Sequence, residues 1–323
     1  MTLSAIRAFI EAIEEDLSLL ESKNFDHRAD VVEQLDEFLE AYPEGPVGLR
    51  DRIGALRSRL EAIDTALFQR LREEVRAGRL RGPVFKSLIG EYLEEVVAVG
   101  EGFEGVVSPG DLDGTAVEPG YDNLDVFMTR LLPAGEMPVP TLDLEPGMVG
   151  YYKTPAAVVL ELVEKAPMTN EDVFVDLGSG LGGTVILVNL LTGVRARGVE
   201  REPAYHAFAV ESAAGLGLQK APFAQEASVV QEVAVVQEVA FVQADVREAD
   251  LSDGTVFFLF TPFTGALLQE VLDRLRKEAT QRKIRIVTYG PCTVEVNRQN
   301  WLRSLGSTAD EGYRLQVFCS GAD

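Results

Sequence analysis

Between positions 173 and 191 the chain passes from an apolar triplet, Val173-Phe174-Val175, through Asp176-Leu177-Gly178-Ser179-Gly180-Leu181-Gly182-Gly183, into the apolar stretch Val185 to Leu191. This order predicts a strand, a glycine turn and a helix, the crossover unit of nucleotide-binding parallel sheets. Glycines at 178, 180 and 182 let backbone come close to a ligand and leave N–H groups free at the helix start, where an anion or a polar group can be held. The plain alternative is a turn that only packs a helix on a strand.

The glycine spacing alone leaves two ligand classes open, because Gly178, Gly180 and Gly183 also satisfy the G-x-G-x-x-G dinucleotide pattern. Asp176 discriminates between them. A carboxylate at the strand tip repels a pyrophosphate and attracts the ammonium of a methionine moiety, which favours S-adenosylmethionine over a nicotinamide cofactor. Glu200, at the end of the run Val194 to Val199, lies some twenty residues past the glycines, where an acid at a strand end accepts both ribose hydroxyls. After Ala240-Phe241-Val242, Asp245 is placed for an adenine amino group and the backbone N–H of Val246 for a ring nitrogen. Upstream, Tyr151-Tyr152-Lys153-Thr154-Pro155 opens a helix over Ala156 to Glu164. Thr154 is suited to be its N-cap and Pro155 its first residue. The functional reading has the Thr154 hydroxyl and the helix N-terminus holding the cofactor carboxylate, with Tyr152 as a wall.

On these residues the chain resembles the class I S-adenosylmethionine-dependent methyltransferases, over about residues 150–320. The resemblance rests on Asp176 to Gly182, Glu200, Asp245 and the Thr154-Pro155 element. It implies a seven-stranded, mostly parallel sheet with a late antiparallel strand and the cofactor across the carboxyl ends of the first strands. The glycine motif and Glu200 are also similar to the non-SET histone lysine methyltransferases. Strands alternating with helices argue independently for a doubly wound α/β sheet: Val256 to Phe260 reads as a fourth strand, Gly265 to Lys277 as a helix, Ile284 to Val287 as a fifth strand and Tyr313 to Phe318 as a late one.

Substrate chemistry is expected on the loops after strands four and five. Thr261-Pro262-Phe263-Thr264 stands where similar amino-group methyltransferases carry an Asn- or Asp-Pro-Pro-aromatic motif, but Phe260 occupies the place of the acid or amide. The Asn of the histone-directed relatives is absent as well. Thr261 and Tyr289 are the candidate catalytic residues, Tyr289 because its phenol ends strand five. An in-line displacement needs mainly alignment, and a general base is optional. His27 and His206 are poor catalytic candidates by position.

With two cysteines, Cys292 and Cys319, and no paired spacing, the chain suggests neither a disulfide scaffold nor a metal site. No leader-like or membrane-spanning run is read, and a cytoplasmic enzyme is expected. The net charge is −22, with 14 Lys or Arg against 30 Asp or Glu in residues 1–150 and 16 against 22 in residues 151–323. Such acidity disfavours nucleic acid as a partner. The arginines between Arg50 and Lys86 are read as a solvated helix face.

Residues 1–100 read as a helical domain. Leu3, Ile6, Ile10, Ile13, Leu17 and Leu20 form one stripe, Ile53, Leu56, Leu60, Ile63, Leu67 and Leu71 another, with helices around Val31 to Leu39 and around Val84, Leu88, Leu93 and Val96. The two seams suit a bundle or a homodimer interface, with intramolecular packing favoured. Residues 101–150, rich in Gly, Pro and Asp around a helical stretch from Tyr121 to Leu132, are expected to act as a connector or lid, and 151–323 as the cofactor-binding domain. The two apolar patterns suggest independent cores, so that a fragment from about Glu145 keeps cofactor binding. Three near-copies of one hexad over 226–243 read as a local duplication, with the last copy as strand three.

The expected function is methyl transfer to a small molecule or a protein side chain. The second reading is a cofactor-binding protein whose helical part recognises a partner, and the third an NAD-dependent oxidoreductase.

Overall fold

The computed structural model describes residues 2–43, 46–92, 122–133, 135–219, 239–306 and 314–321. Leu93, Val96, the first part of the connector and the first two hexad copies lie outside these residues. The helical part comprises α1 (Leu3–Glu15), a 3₁₀ turn (Leu17–Leu20), α2 (Phe25–Ala41), α3 (Val47–Arg76), α4 (Pro83–Tyr92) and α5 (Asn123–Leu131). There follow α6 (Ala156–Lys165), β1 (Val173–Leu177), α7 (Gly183–Thr192), β2 (Arg195–Glu200), α8 (Pro203–Gly215), β3 (Val239–Gln243), β4 (Val256–Leu259), α9 (Gly265–Ala279), β5 (Arg285–Thr288), α10 (Cys292–Asn297), β6 (Leu302–Ser304) and β7 (Gln316–Ser320).

The strands form one sheet in the order β3-β2-β1-β4-β5-β7-β6. The first five pair in parallel, whereas β7 runs antiparallel to β5 and β6 antiparallel to β7. This is the expected doubly wound, mostly parallel sheet. Successive residues of a strand face opposite sides, and here both sides are covered, so β1 and β4 are buried along their full length. Phe174, Phe258 and Val287 enter the core on the side of α6 and α7, while Val175, Phe257 and Ile286 enter the core beneath α9. Order reversal between β1 and β4 opens a crevice at the carboxyl ends of the strands, the place where such sheets bind ligands.

The third hexad copy becomes β3, as expected. β6 had no counterpart in the sequence reading: three residues, none of them fully buried, give no periodicity to detect.

The 30-residue helix α3, about 45 Å long, links two cores. Its first half packs Ile53, Leu56 and Leu60 against Ile6 and Ile10 of α1 and Leu35 of α2 within the same chain. Its second half places Leu67, Phe68, Leu71 and Val75 in the same core as Val159, Leu187 and Phe174 of the sheet part. The α1 stripe ends earlier than its spacing suggests, because the chain tightens into the 3₁₀ turn, which buries Leu19 and leaves Leu17 71% exposed. Along α4 the buried residues are Phe85, Ile89 and Tyr92, one position on from the expected Val84 and Leu88. α5 is a core element, since Leu124, Phe127 and Leu131 are buried. The rings of Phe25, Phe68 and Phe127 meet edge to face at 5.1 to 5.4 Å.

Polar contacts reinforce the junction. Arg28, fully buried, donates from Nε to Asp64 Oδ1 at 2.7 Å and from Nη1 and Nη2 to the carbonyls of Leu19 and Ser22, while Arg130 of α5 reaches Asp64 Oδ2 at 3.3 Å. Burial raises the Asp64 carboxyl above its ordinary range even though the two guanidiniums oppose it. Several arginines expected on a solvated face instead reach other elements. Arg72 donates to the carbonyls of residues 130, 131 and 132 at the end of α5, Arg76 to that of Gly215 at the end of α8, and Arg81 to Asn189 of α7. Cations at helix C-termini satisfy orphan carbonyls and complement the helix dipole.

The helical and sheet parts therefore share a core, contrary to the expectation of independent folding. A fragment starting near Glu145 lacks α3 to α5 and leaves their apolar partners on α6 and α7 uncovered. It is expected to lose cooperative unfolding and to bind a hydrophobic dye, as judged by urea titration and ANS fluorescence. A sharp, two-state transition in that fragment would restore the two-core description.

Candidate functional site

A cavity of about 250 Å³ opens at the carboxyl ends of β1, β2 and β4. Of the sequence candidates, Tyr152, Thr154, Asp176, Gly178, Ser179, Gly180, Glu200, Asp245 and Val246 line it. Gly182, Thr261 and Tyr289 do not.

The glycine turn is fixed from below by β2. The N–H groups of Gly178 and Ser179 donate to the carbonyl of Val199 at 2.9 and 3.0 Å, and Gly180 N–H donates to Glu200 Oε2 at 2.7 Å. Gly180 has φ +51, and a Cβ there would overlap the Tyr151 ring. Gly182 has φ +78 and its missing Cβ makes room for Phe241 and Ala209, so it serves the packing of α7 and not the cavity wall. The Ser179 side chain lies against Gly198, where a Cβ would collide with it, and its hydroxyl has no hydrogen-bond partner among the described residues.

Asp176 and Glu200 end adjacent strands. Asp176 is 5% exposed, and burial together with the charge of Glu200 pushes its carboxyl up to about 8. Without a cationic ligand it is therefore largely protonated at neutral pH, not the carboxylate that the sequence reading pictured. Glu200 is raised too, chiefly by burial, against the opposing N–H bonds of Glu202 and Gly180. Two acids thus face one cavity with little to compensate them.

Tyr151 and Tyr205 contact each other with ring centroids 5.3 Å apart, and both line the cavity. Thr154 lines it as well, but the helix start differs from expectation. Pro155 occupies the cap position, and Ala156 N–H donates to Asp125 Oδ1 of α5 at 3.1 Å. An acid from another helix has taken over the capping, which a local sequence pattern cannot show. Lys153 Nζ pairs with the same Asp125 at 3.1 Å and donates to Thr129 at 2.8 Å.

Asp245 accepts from Arg247 Nη2 at 2.6 Å and from its Nε at 2.9 Å, which together with the other bonds from Arg247 holds its carboxyl below the usual range. Val246 turns its carbonyl to Arg274 of α9.

After β4, Phe260, Pro262 and Phe263 line the cavity. Thr261 adopts φ +43, a left-handed conformation costly for a β-branched residue. Its hydroxyl donates to the Tyr289 carbonyl at 3.0 Å and accepts from Cys292 N–H at 3.2 Å. The loop is thereby pinned to the end of β5. Tyr289 is 2% exposed, with its ring 5.1 Å from that of Phe260. Both candidate catalytic residues are thus absent from the cavity lining: the Thr261 hydroxyl is engaged by the end of β5, and the Tyr289 ring packs on Phe260, which does line the cavity. His206 lies near the Phe241 carbonyl at 3.4 Å and His27 near Asp16 at 3.8 Å, neither of them in the lining.

The end of the stretch expected as connector or lid, residues 140–150, forms a strap at the cavity, although none of its residues was named as a site residue from the sequence. Residues 140–150 run over it, with Leu142, Leu144 and Met148 in the lining. Thr264 N–H donates to the Gly147 carbonyl at 2.7 Å and Val149 N–H to that of Pro262 at 3.1 Å. Glu202 accepts from the strap as well. Its only sequence signal is its position two residues beyond Glu200 at a strand end.

Residues 149–301 match the family model described as histone methylation protein DOT1. No curated protein matches the chain. Solved structures similar to it include an RNA methyltransferase from Salinibacter ruber in complex with S-adenosyl-L-homocysteine, at 26% identity over 52% of this chain and 92% of that one, with a TM-score of 0.37. A SAM-dependent methyltransferase from Aquifex aeolicus follows at 14% identity over 50% and 88%, TM-score 0.37, and a ribosomal protein L11 methylase from Lactobacillus delbrueckii subsp. bulgaricus at 13% over 50% and 76%, TM-score 0.33.

The raised Asp176 carboxyl makes a prediction for the ligand-free protein. Its proton is bound in the folded state up to about pH 8 but is lost near pH 4 on unfolding, so the associated stability is complete below about pH 4 and declines as pH rises through 8. The slope from this group is up to about 1.4 kcal/mol per pH unit. Urea titrations between pH 5.5 and 8.5 should show Asp176→Asn losing less stability with pH than the parent; parallel curves would contradict the assignment.

Proposed function

We propose that this chain is a class I S-adenosylmethionine-dependent methyltransferase that modifies a protein, at the side-chain amine of a lysine in a basic segment. The observation that carries the acceptor reading is the family match over residues 149–301, which spans Tyr151 through β5 and includes every cavity-lining residue of the sheet part. The charge of −22 supports it, since an acidic surface attracts and orients a basic segment.

The residues present fit the cofactor on physical grounds. Asp176 and Glu200 are two acids raised by burial at one cavity, a local deficit of positive charge that a ligand with an ammonium and a sulfonium relieves. In this reading Asp176 takes the ammonium, Thr154 and Tyr152 the carboxylate end, and Glu200 the ribose hydroxyls. Asp245 and the Val246 N–H take the adenine, and the backbone of Gly178, Ser179 and Gly180 lies alongside. Bound there, the cofactor supplies an electrophilic methyl group on a positively charged sulfur.

The chain's own contribution is to align the acceptor and exclude water. Phe260 and Phe263 from the loop after β4, Tyr151, and Met128 and Leu131 from α5 give the cavity apolar walls. Such walls disfavour the ammonium form of an entering lysine, and a neutral amine attacks without a dedicated base. Thr261 and Tyr289 then act by holding the loop that presents Phe260. The helical part and the connector shape the acceptor side through α5 and the strap.

Incubation with radiolabelled S-adenosylmethionine and separate pools of basic proteins, acidic proteins and metabolites tests the acceptor. Label in lysines of the basic pool is expected; label confined to metabolites would replace the protein acceptor by a small one. For the cofactor, Glu200→Ala is expected to weaken S-adenosylmethionine binding by about 2–4 kcal/mol in calorimetry, the loss of a charge-assisted pair of hydrogen bonds. Unchanged affinity would place the ribose elsewhere.

A further inference from the structure

The strap of residues 140–150 is held to the loops that follow β2, β3 and β4, and these same loops line the cavity. Beyond β2, Glu202 Oε1 accepts from Thr141 N–H at 2.9 Å and from the Thr141 hydroxyl at 2.7 Å, and Oε2 accepts from Leu142 N–H at 2.8 Å. Beyond β3, Arg247 bridges Asp245 to Glu145 Oε2 at 2.9 Å, and Arg201 reaches the other oxygen of Glu145 at 2.9 Å. Beyond β4, Met148 pairs with Phe263 in an isolated antiparallel bridge.

Glu202 is the most heavily engaged of these anchors. It is 7% exposed, and although burial pushes its carboxyl up, the hydrogen bonds from Thr141, Ala204 and Leu142 bring it down to about 2. Its carboxylate oxygens are thus engaged by the strap and by the first turn of α8, where Ala204 N–H donates at 3.1 Å. Its own N–H donates to Glu200 Oε1 at 2.8 Å, and the other oxygen of Glu200 receives Gly180 N–H. A continuous series of hydrogen bonds thus runs from the glycine turn through Glu200 and Glu202 to the backbone of Thr141 and Leu142.

We propose that Glu202 is a positioning residue that holds the 140–150 strap as the roof of the cofactor cavity, so that cofactor binding and closure of the strap are coupled. A ligand that engages Glu200 tightens the residue on which the Glu202 backbone rests. Conversely, a strap released from Glu202 leaves the cavity open above Glu200 and removes Leu142 and Leu144 from its wall. This inference rests on the cofactor site and is independent of the identity of the acceptor.

The full-length protein and S-adenosylhomocysteine suffice for the test. In the parent, hydrogen exchange at 141–144 should slow when S-adenosylhomocysteine is added. Glu202→Gln places an amide donor against the Leu142 or Thr141 N–H, and is expected to speed exchange at 141–144 in the free protein and weaken S-adenosylhomocysteine binding about tenfold in calorimetry, with exchange in β1 and β4 unchanged. Because Glu202 also caps α8, the strap-side variant Thr141→Pro, which removes the N–H and hydroxyl donors to Glu202, leaves the cap intact and changes no residue of the cavity lining, is measured beside it. Weaker binding in both variants supports the coupling. Faster strap exchange with parent-like affinity in both would show that the strap is a surface loop irrelevant to the cofactor. Weaker binding in Glu202→Gln alone would show that the effect passes through α8, and either result overturns the proposal. Loss of binding in the parent itself would instead refute the cofactor site.

Discussion

Glu200 is the residue about which the site is organised. Its carboxylate closes the turn by accepting the N–H of Gly180 and steadies the following loop by accepting that of Glu202. The carbonyl of Val199, one residue earlier, accepts two more N–H groups of the same turn. A glycine-rich loop with positive φ at several positions has large conformational freedom to lose, and this end of β2 supplies the fixed acceptors that compensate for it. The arrangement forces Asp176 and Glu200 together in a partly dry crevice. Neither acid has enough local compensation, and the site is consequently poised for a cationic ligand before one arrives.

The second constraint is the shared core. Since α3 contributes to both apolar clusters that it crosses, the helical part is not an appendage that can be removed from the sheet. α5 illustrates what this union does for the site. It packs Phe127 against Phe25 and Phe68, presents Met128 and Leu131 to the cavity, and lends Asp125 to the start of α6. With the helix start satisfied from outside, Thr154 is not engaged as the cap of its own helix.

The loop after β4 departs most from the pattern of amino-group methyltransferases, and the structure gives the departure a consistent form. Thr261 takes a strained backbone conformation, and its side chain bonds to the end of β5. Phe260 is thereby brought to the cavity in place of a polar group. An apolar wall at that point suits an acceptor that needs desolvation more than proton removal.

The parallel strands and the acids at their ends were legible in the sequence, because buried parallel strands are short apolar runs, glycine turns have few alternative meanings, and residues at strand ends follow from where those runs stop, whereas the strand order and β6 were not. Asp176, Gly180, Glu200 and Asp245 reach one cavity for that reason. Local rules failed where a distant residue supplied the partner. Thr154 was a sound N-cap by its own sequence, but Asp125 from α5 took the role; Thr261 and Tyr289 stood on the right loops, but the Thr261 hydroxyl bonds to the end of β5, the Tyr289 ring packs on Phe260, and neither lines the cavity. The protonation of Asp176 likewise depends on its distance from Glu200 and from water, and the strap depends on contacts separated by about sixty residues, such as Thr141 with Glu202. Periodicity and motif determine the elements and the chemistry they carry, whereas capping, burial and charge proximity are properties of side chains brought together from far apart, which only the tertiary structure decides.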